Sequence, residues 1–241
     1  MQLQVVKDYD ALSKKAAHIL ASQIILKPKS ILGLATGSTP IGTYRELINM
    51  HKEGMINFSE VVTFNLDEYY GLDVQDQQSY HYFMNQHFFN DIDIVKENIY
   101  IPNGKAVDVD AECQRYEKSI KEAGGIDLQL LGIGQNGHIG FNEPDVKFEA
   151  STHLVNLDLD TIKANARFFD SIDEVPDQAI SMGVKTILSS KKILLLASGK
   201  NKAEAIYKMV KGKITPKLPA SVLQLHPDVV VIADEAAAAL L

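Results

Sequence analysis

A chain of 241 residues, 46% hydrophobic and 23% charged, is long enough to bury a core of ordinary globular size. Its net charge of -7 argues against a nucleic-acid-binding face, which would have to be basic. A lone Cys113 rules out an internal disulfide and any cysteine-based zinc pattern. No apolar run approaches membrane-spanning length, and the first ten residues carry no signal-peptide core, so a cytoplasmic location is expected.

The elements alternate along the chain. Leu3 to Val6 reads as a short strand, and Asp8 as the N-cap of a helix whose apolar stripe is Leu12, Ala16, Ile19, Leu20 and Ile24. Ile31 to Ala35 is a buried strand that turns through Gly37 into a helix opening near Pro40. Val61 to Leu66 is the next strand, ending in Asp67-Glu68, and Tyr80 to Phe89 the next helix. Ala111 to Glu122 is a charged amphipathic helix. Ile126 to Ile133, Lys192 to Ala197 and Val229 to Ile232 complete the strands. From about 145 to 176 the pattern loosens, and that stretch is expected to be a mobile lid segment. Alternating strands and helices predict one catalytic α/β domain over 1–241, an open, largely parallel, doubly wound (Rossmann-like) sheet with helices on both faces. In such sheets ligands sit beyond the carboxyl ends of the strands.

Reactive residues fall at those ends. Leu130-Leu-Gly-Ile-Gly-Gln-Asn-Gly-His-Ile-Gly-Phe-Asn-Glu-Pro144 is a buried strand broken by a glycine turn that presents His138 and Glu143. A glycine turn alone need be no more than a turn; an imidazole and a carboxylate within it point to a site. Ala35-Thr-Gly-Ser-Thr-Pro40 runs from a strand into a helix N-terminus, where free N–H groups and the helix dipole suit an anion such as phosphate. Gly37 permits close approach, and Ser38 and Thr39 add hydroxyls. Taken alone, the same turn reads first as a plain Ser/Thr helix cap.

Asp67 stands at a strand end, where an α/β enzyme places a base, although a capping role also fits such a position. His138 is the group that titrates near neutral pH. The other histidines (His18, His51, His81, His87, His153 and His226) lack a carboxylate in the same glycine turn. Among three arginines, Arg167 ends the loosened segment, where a guanidinium could clamp a phosphate. Lys202 follows another strand-end turn, with Lys200 as the competing cation. One carboxylate base, a His–Glu pair and a phosphate cradle suit proton transfer on a sugar phosphate. Ring opening there needs one acid–base group, and proton abstraction beside the carbonyl another.

The motifs Leu34-Ala-Thr-Gly-Ser-Thr-Pro40, Phe64-Asn-Leu-Asp-Glu-Tyr69, Gly132 to Pro144, Ala164-Asn-Ala-Arg-Phe-Phe169 and Leu223-Gln-Leu-His-Pro227 resemble, in order and spacing, those of the glucosamine-6-phosphate deaminase family. The resemblance implies conversion of glucosamine 6-phosphate and water to fructose 6-phosphate and ammonia, with no cofactor and no metal. It makes Asp67 the C2 base and His138 the ring-opening acid–base group, with Glu143 and Asn136 orienting and tuning it. Gly37, Ser38, Thr39, Arg167 and Lys202 would hold the phosphate. The expected partner is the small-molecule substrate, with no nucleic acid or membrane, in a monomer or a homo-oligomer.

Asn136 departs from many members, which carry Asp there; its amide oxygen is expected to accept the imidazole N–H. The segment Asp145 to Asn156 has Lys147 as its one fixed positive charge, where the allosterically regulated members hold a phosphorylated effector with basic residues. No response to such an effector is expected. Two other readings compete. A 6-phosphogluconolactonase shares the fold and a glycine-rich turn with His, but has no use for an enolising base. A sugar-phosphate sensor would need an appended DNA-binding helix pair.

Overall fold

Asp8 starts the first helix as its sequence position suggests: the carboxylate accepts the Ala11 N–H at 2.9 Å. It links β1 (Gln2–Val6) to α1 (Tyr9–Leu26), and β2 (Ile31–Leu34), α2 (Ile41–Lys52) and β3 (Val62–Asn65) follow. Then come β4 (Asp67–Tyr69), α3 (Tyr80–His87), β5 (Ile99–Tyr100), α4 (Val109–Ala123) and β6 (Leu128–Leu131). The chain closes with β7 (His153–Asn156), α5 (Leu159–Asn165), β8 (Gln178–Ser181), α6 (Val184–Leu188), β9 (Lys192–Ala197), α7 (Ala203–Lys211) and β10 (Val229–Asp234). These elements come from a computed structural model of residues 1–241 that describes all of them except 167, 168, 170, 172 and 173.

Seven strands form one parallel sheet in the order β1-β10-β9-β6-β2-β3-β5. Strands β2, β6 and β10 are buried at every position, which explains their nearly unbroken apolar sequence: helices cover both faces of a parallel sheet. From β2 the chain winds outward through β3 to β5, then returns to the other side of β2 as β6 and winds outward through β9 to β10. The winding reverses between β2 and β6. A doubly wound sheet has its ligand crevice at that switch point, beyond the carboxyl ends of the two strands.

Helix ends differ from the sequence reading by a few residues, for identifiable reasons. Asp108 accepts the Ala111 N–H at 2.9 Å, so α4 begins two residues before the periodic pattern suggests. Gly124, at φ 103°, ends it as a left-handed cap. Helix α3 stops at His87 and gives way to a tighter turn over Phe89–Asp91.

The larger difference is a second, antiparallel sheet in the order β4-β8-β7, which the sequence reading missed. The segment expected to be a loose excursion contributes β7 and α5 to this part of the fold. Asp67 and His153 both pair with Ser181. The sheet packs on its own apolar cluster of Tyr69, Phe141, Leu157 and Ala179, against which Tyr80, Val155 and Ile162 also lie. Strands of three or four residues are too short for alternation to show in sequence.

At the opposite end of the main sheet, the buried Asp127 carboxylate accepts from Lys27 Nζ at 2.6 Å, Lys191 Nζ at 2.8 Å and the Ile31 N–H at 2.8 Å. Burial alone would raise its pKa, but these donors hold it below the ordinary carboxylate value. A depressed carboxyl stabilises the fold above its unfolded-state pKa and loses that contribution as pH falls through its folded value. Asp127→Asn is therefore expected to lower the unfolding free energy by ~1–3 kcal/mol at pH 7, the lysines being partly solvated. The deficit should shrink as pH falls below about 4. Urea unfolding at pH 7 and pH 3 checks this, and equal stability at pH 7 would show that the cluster contributes nothing.

Candidate active site at the switch point

After β6 the chain folds into a compact turn. The Gly134 N–H donates to the His138 carbonyl at 2.9 Å, and the Gly137 N–H to the Gly134 carbonyl at 3.0 Å. A Cβ on Gly134 would lie 2.3 Å from His138 Cε1 and 2.4 Å from Nδ1, so the imidazole is folded back against the turn where only glycine leaves room. Gly140, at φ 56°, takes a left-handed conformation that favours glycine. A Cβ there would stand 3.5 Å from Asp67 Oδ2. The turn that carries His138 thus also passes against Asp67, so two residues singled out from sequence lie on facing segments.

The imidazole Nδ1 faces Glu143 Oε2 at 3.3 Å, with the His138 side chain 22% and the Glu143 side chain 10% exposed. Asn136 does not bond the ring, contrary to expectation. Its Oδ1 accepts the His138 backbone N–H at 3.1 Å, and its Nδ2 donates to Glu143 Oε2 at 2.8 Å. The reason is local: residue 136 lies two positions before His138 in the tight turn, so its side chain reaches the backbone while Glu143 reaches the ring. Thr161 Oγ1 donates to Glu143 Oε1 at 2.5 Å. Burial works to raise the Glu143 pKa, but the His138 contact and the donors Thr161 and Asn136 keep it below the ordinary value.

Asn136→Asp would remove a donor to Glu143 and set a second carboxylate beside it. The expected result is an imidazole that titrates at higher pH than in the unaltered chain, since added negative charge favours its protonated form. Where turnover needs neutral imidazole, the acid limb of the pH–rate profile moves up with it. An unshifted profile in an active variant would show that residue 136 does not couple to the titrating group.

Asp67 is 6% exposed, and its pKa is pushed up to about 8, first by burial and then by the charge of Glu68. Glu68 is also buried and binds elsewhere. Its Oε1 accepts the Tyr69 and Tyr80 N–H groups, each at 2.8 Å, while Oε2 accepts the His81 N–H at 3.0 Å and lies 2.9 Å from His81 Nδ1. The sequence reading gave Glu68 and His81 no role. Their contact joins β4 to the start of α3, a pairing that spacing along one helix cannot reveal.

At the end of β2, Gly37 has φ 87° and open space where a Cβ would stand. Pro40 occupies the cap position of α2 and makes no side-chain cap bond, so neither Ser38 nor Thr39 is the N-cap residue. Two tyrosines fasten this turn. Tyr9 Oη donates to the Ser38 carbonyl at 3.0 Å and accepts the Gly42 N–H at 2.8 Å; Tyr44 Oη donates to the Ala35 carbonyl at 2.5 Å. After β9, Asp234 accepts from Ser198 Oγ at 2.5 Å and from the Gly199 N–H at 3.0 Å. That fixes the turn leading to Lys200, which is exposed, and Lys202, which is half-buried at the start of α7. Arg167 lies outside the described residues.

A family model describing glucosamine-6-phosphate isomerases and 6-phosphogluconolactonases matches residues 7–232. The chain belongs to this family. Within it, the chain is 60% identical over 241 residues to a glucosamine-6-phosphate deaminase of Clostridium acetobutylicum, covering 100% of both. It is 59% identical over 238 residues to one of Clostridioides difficile, covering 99% of this chain and 96% of the relative. A solved structure of a monomeric glucosamine-6-phosphate deaminase is similar at a TM-score of 0.98 and 52% identity over 100% of both chains. A 6-phosphogluconolactonase of Thermotoga maritima shares the fold, at a TM-score of 0.75 and 20% identity over 97% of this chain and 99% of that one. Among the described residues, no helix is long and apolar enough to cross a membrane.

Proposed function

We propose that the chain is a glucosamine-6-phosphate deaminase, converting glucosamine 6-phosphate and water to fructose 6-phosphate and ammonia in one catalytic unit spanning 1–241. The observation that carries this reading is the approach of Asp67 to Gly140, which sets a buried carboxylate against the turn that bears the His138–Glu143 pair. An isomerising deaminase needs two proton-transfer groups with separate tasks, and a lactone hydrolase has no use for the second.

In this reading His138 takes the anomeric hydroxyl proton and protonates the ring oxygen, opening the pyranose to the aldehyde. Glu143 faces the imidazole and stabilises it when charged, and Asn136 holds Glu143. Asp67 then removes the C2 proton while a proton passes from the 2-ammonium group to the aldehyde oxygen, giving the enolamine, and Asp67 returns its proton at C1. The resulting C2 imine is hydrolysed by water to the ketone, releasing ammonia. An Asp67 carboxyl raised to about 8 is largely protonated in the empty site at neutral pH. The substrate's 2-ammonium group would favour the carboxylate, so substrate itself would help bring the base into its working form. Backbone and hydroxyl groups of Gly37, Ser38 and Thr39 at the α2 N-terminus suit the phosphate, with Lys202 and Arg167 as its cations. The part of the chain that carries β7 and α5 would cover the substrate as a lid. A sugar-phosphate substrate fits a cytoplasmic enzyme, and the monomeric relative supports a monomer.

Ammonia release from glucosamine 6-phosphate by the purified protein tests the reading, with 6-phosphogluconolactone as the control substrate. Hydrolysis of the lactone without ammonia release would reverse the assignment. Saturation is expected to be hyperbolic and unaltered by N-acetylglucosamine 6-phosphate. The segment from Asp145 to Asn156 offers Lys147 as its one lysine, and that side chain pairs with Glu149 at 2.7 Å. An effector needs differential contacts in two states to shift a curve. Sigmoidal saturation that the effector abolishes would reveal a site elsewhere.

A further inference from the structure

Glu143 is held from two directions. Asn136 and His138 belong to its own turn and meet Oε2, whereas the donor to Oε1 comes from Thr161 on α5, 18 residues along the chain. Thr161 is 5% exposed. The next residue, Ile162, packs against the cluster containing Phe141 of the same glycine turn and Tyr69, two residues beyond Asp67. Helix α5 therefore meets Glu143 and the apolar cluster beside the glycine turn at adjacent positions, one polar and one apolar. Because Glu143 is an ionised acceptor and Thr161 a hydroxyl donor, the bond is charge-assisted, the stronger class of hydrogen bond. A carboxylate held by one turn alone could swing about its side-chain torsions; a donor on its second oxygen stops that rotation.

We propose that Thr161 is a positioning residue for ring opening. Its hydroxyl keeps Glu143 turned toward His138 Nδ1, so that the acid–base pair is complete only when α5 is seated on the glycine turn. The proposal rests on His138 and Glu143 being the ring-opening pair, and it gives the 145–176 segment a second task besides covering the substrate. The groups facing Glu143 are His138 and Asn136 from the turn and Thr161 from α5. Of these, His138 alone titrates, and it reports where the carboxylate is.

The test uses the full chain with Thr161→Val, which keeps the shape and loses the hydroxyl, and Thr161→Ser, which keeps the hydroxyl. Ammonia-release kinetics and the NMR titration of the His138 ring, assigned by comparison with His138→Gln, are measured for each. Thr161→Val is expected to lower kcat by ~10- to 100-fold with KM changed by less than about threefold, the scale of a misplaced catalytic group. His138 should titrate at lower pH in that variant, having lost a well-aimed anionic neighbour. Thr161→Ser should restore both to near wild type. Equal losses in the two variants would mark a packing role and overturn the proposal, as would an unmoved His138 titration in Thr161→Val, or a loss confined to KM. An unaltered chain that releases no ammonia would instead overturn the deaminase reading, and the His138 titration would still decide whether Thr161 positions Glu143.

Discussion

Asp67→Asn is expected to abolish ammonia release and at the same time make the folded chain more stable. The first effect follows from chemistry: an amide cannot accept the C2 proton, and loss of a general base costs ~10²–10⁴-fold or more. The second follows from burial. The Asp67 carboxyl is nearly inaccessible and lies beside the Glu68 charge, so its folded pKa of about 8 stands far above the ordinary value of 3.8. Between those values the folded chain holds a proton that the unfolded chain releases. Stability therefore falls as pH rises through that window, the reverse of the usual carboxylate case. Asn is neutral throughout. The variant should match the parent near pH 4 and exceed it by on the order of 2–4 kcal/mol near pH 8, less whatever an imperfectly bonded amide costs. Denaturant melts across pH 4–8 together with the activity assay check both halves. Turnover near wild type in the Asn variant would remove Asp67 from the mechanism. A stability difference that did not grow with pH would show that the carboxyl titrates normally.

A stability penalty at the residue assigned the chemistry is what a site built for reactivity produces, and it separates what sequence could reveal from what it could not. Six of the seven main-sheet strands were legible, the inner ones because they are buried on both faces and read as apolar runs, whereas the two-residue edge strand β5 carries no pattern of its own. The positions of Asp67, His138 and Glu143 were legible because strand ends and glycine turns are punctuated by residue type. Contacts between distant segments were not. Thr161 reaches Glu143 over 18 residues, and Glu68 reaches His81 over 13; no local pattern encodes either bond. The small antiparallel sheet stayed hidden for the same reason. Its strands of three and four residues are specified by pairing with one another rather than by their own periodicity. Asn136 shows the complementary limit. Its residue type suggested a bond to the imidazole, and only the backbone path of the turn shows that Glu143 takes that place.

That backbone path also makes Gly134→Ala a severe substitution for activity and a mild one for folding. Gly134 does not lie among the glycines with positive φ, so alanine fits its backbone without strain. The added methyl, however, would fall 2.3 Å from His138 Cε1, 2.4 Å from Nδ1 and 2.6 Å from Cγ, well inside contact distance. The ring is attached to the same turn, whose Gly134 N–H bonds the His138 carbonyl at 2.9 Å, so backbone and ring cannot separate without breaking that bond. The cheaper adjustment is rotation of the imidazole away from the turn, off Glu143 and out of line with the substrate. A displacement of about 1 Å in a catalytic group costs roughly 10²-fold, so kcat should fall ~10²-fold or more while the unfolding free energy changes by less than about 2 kcal/mol. The pairing of the two measurements carries the prediction. A variant that unfolds would show that the turn itself is disrupted, and one that folds and retains wild-type kcat would show that the imidazole does not act from the place it occupies against Gly134.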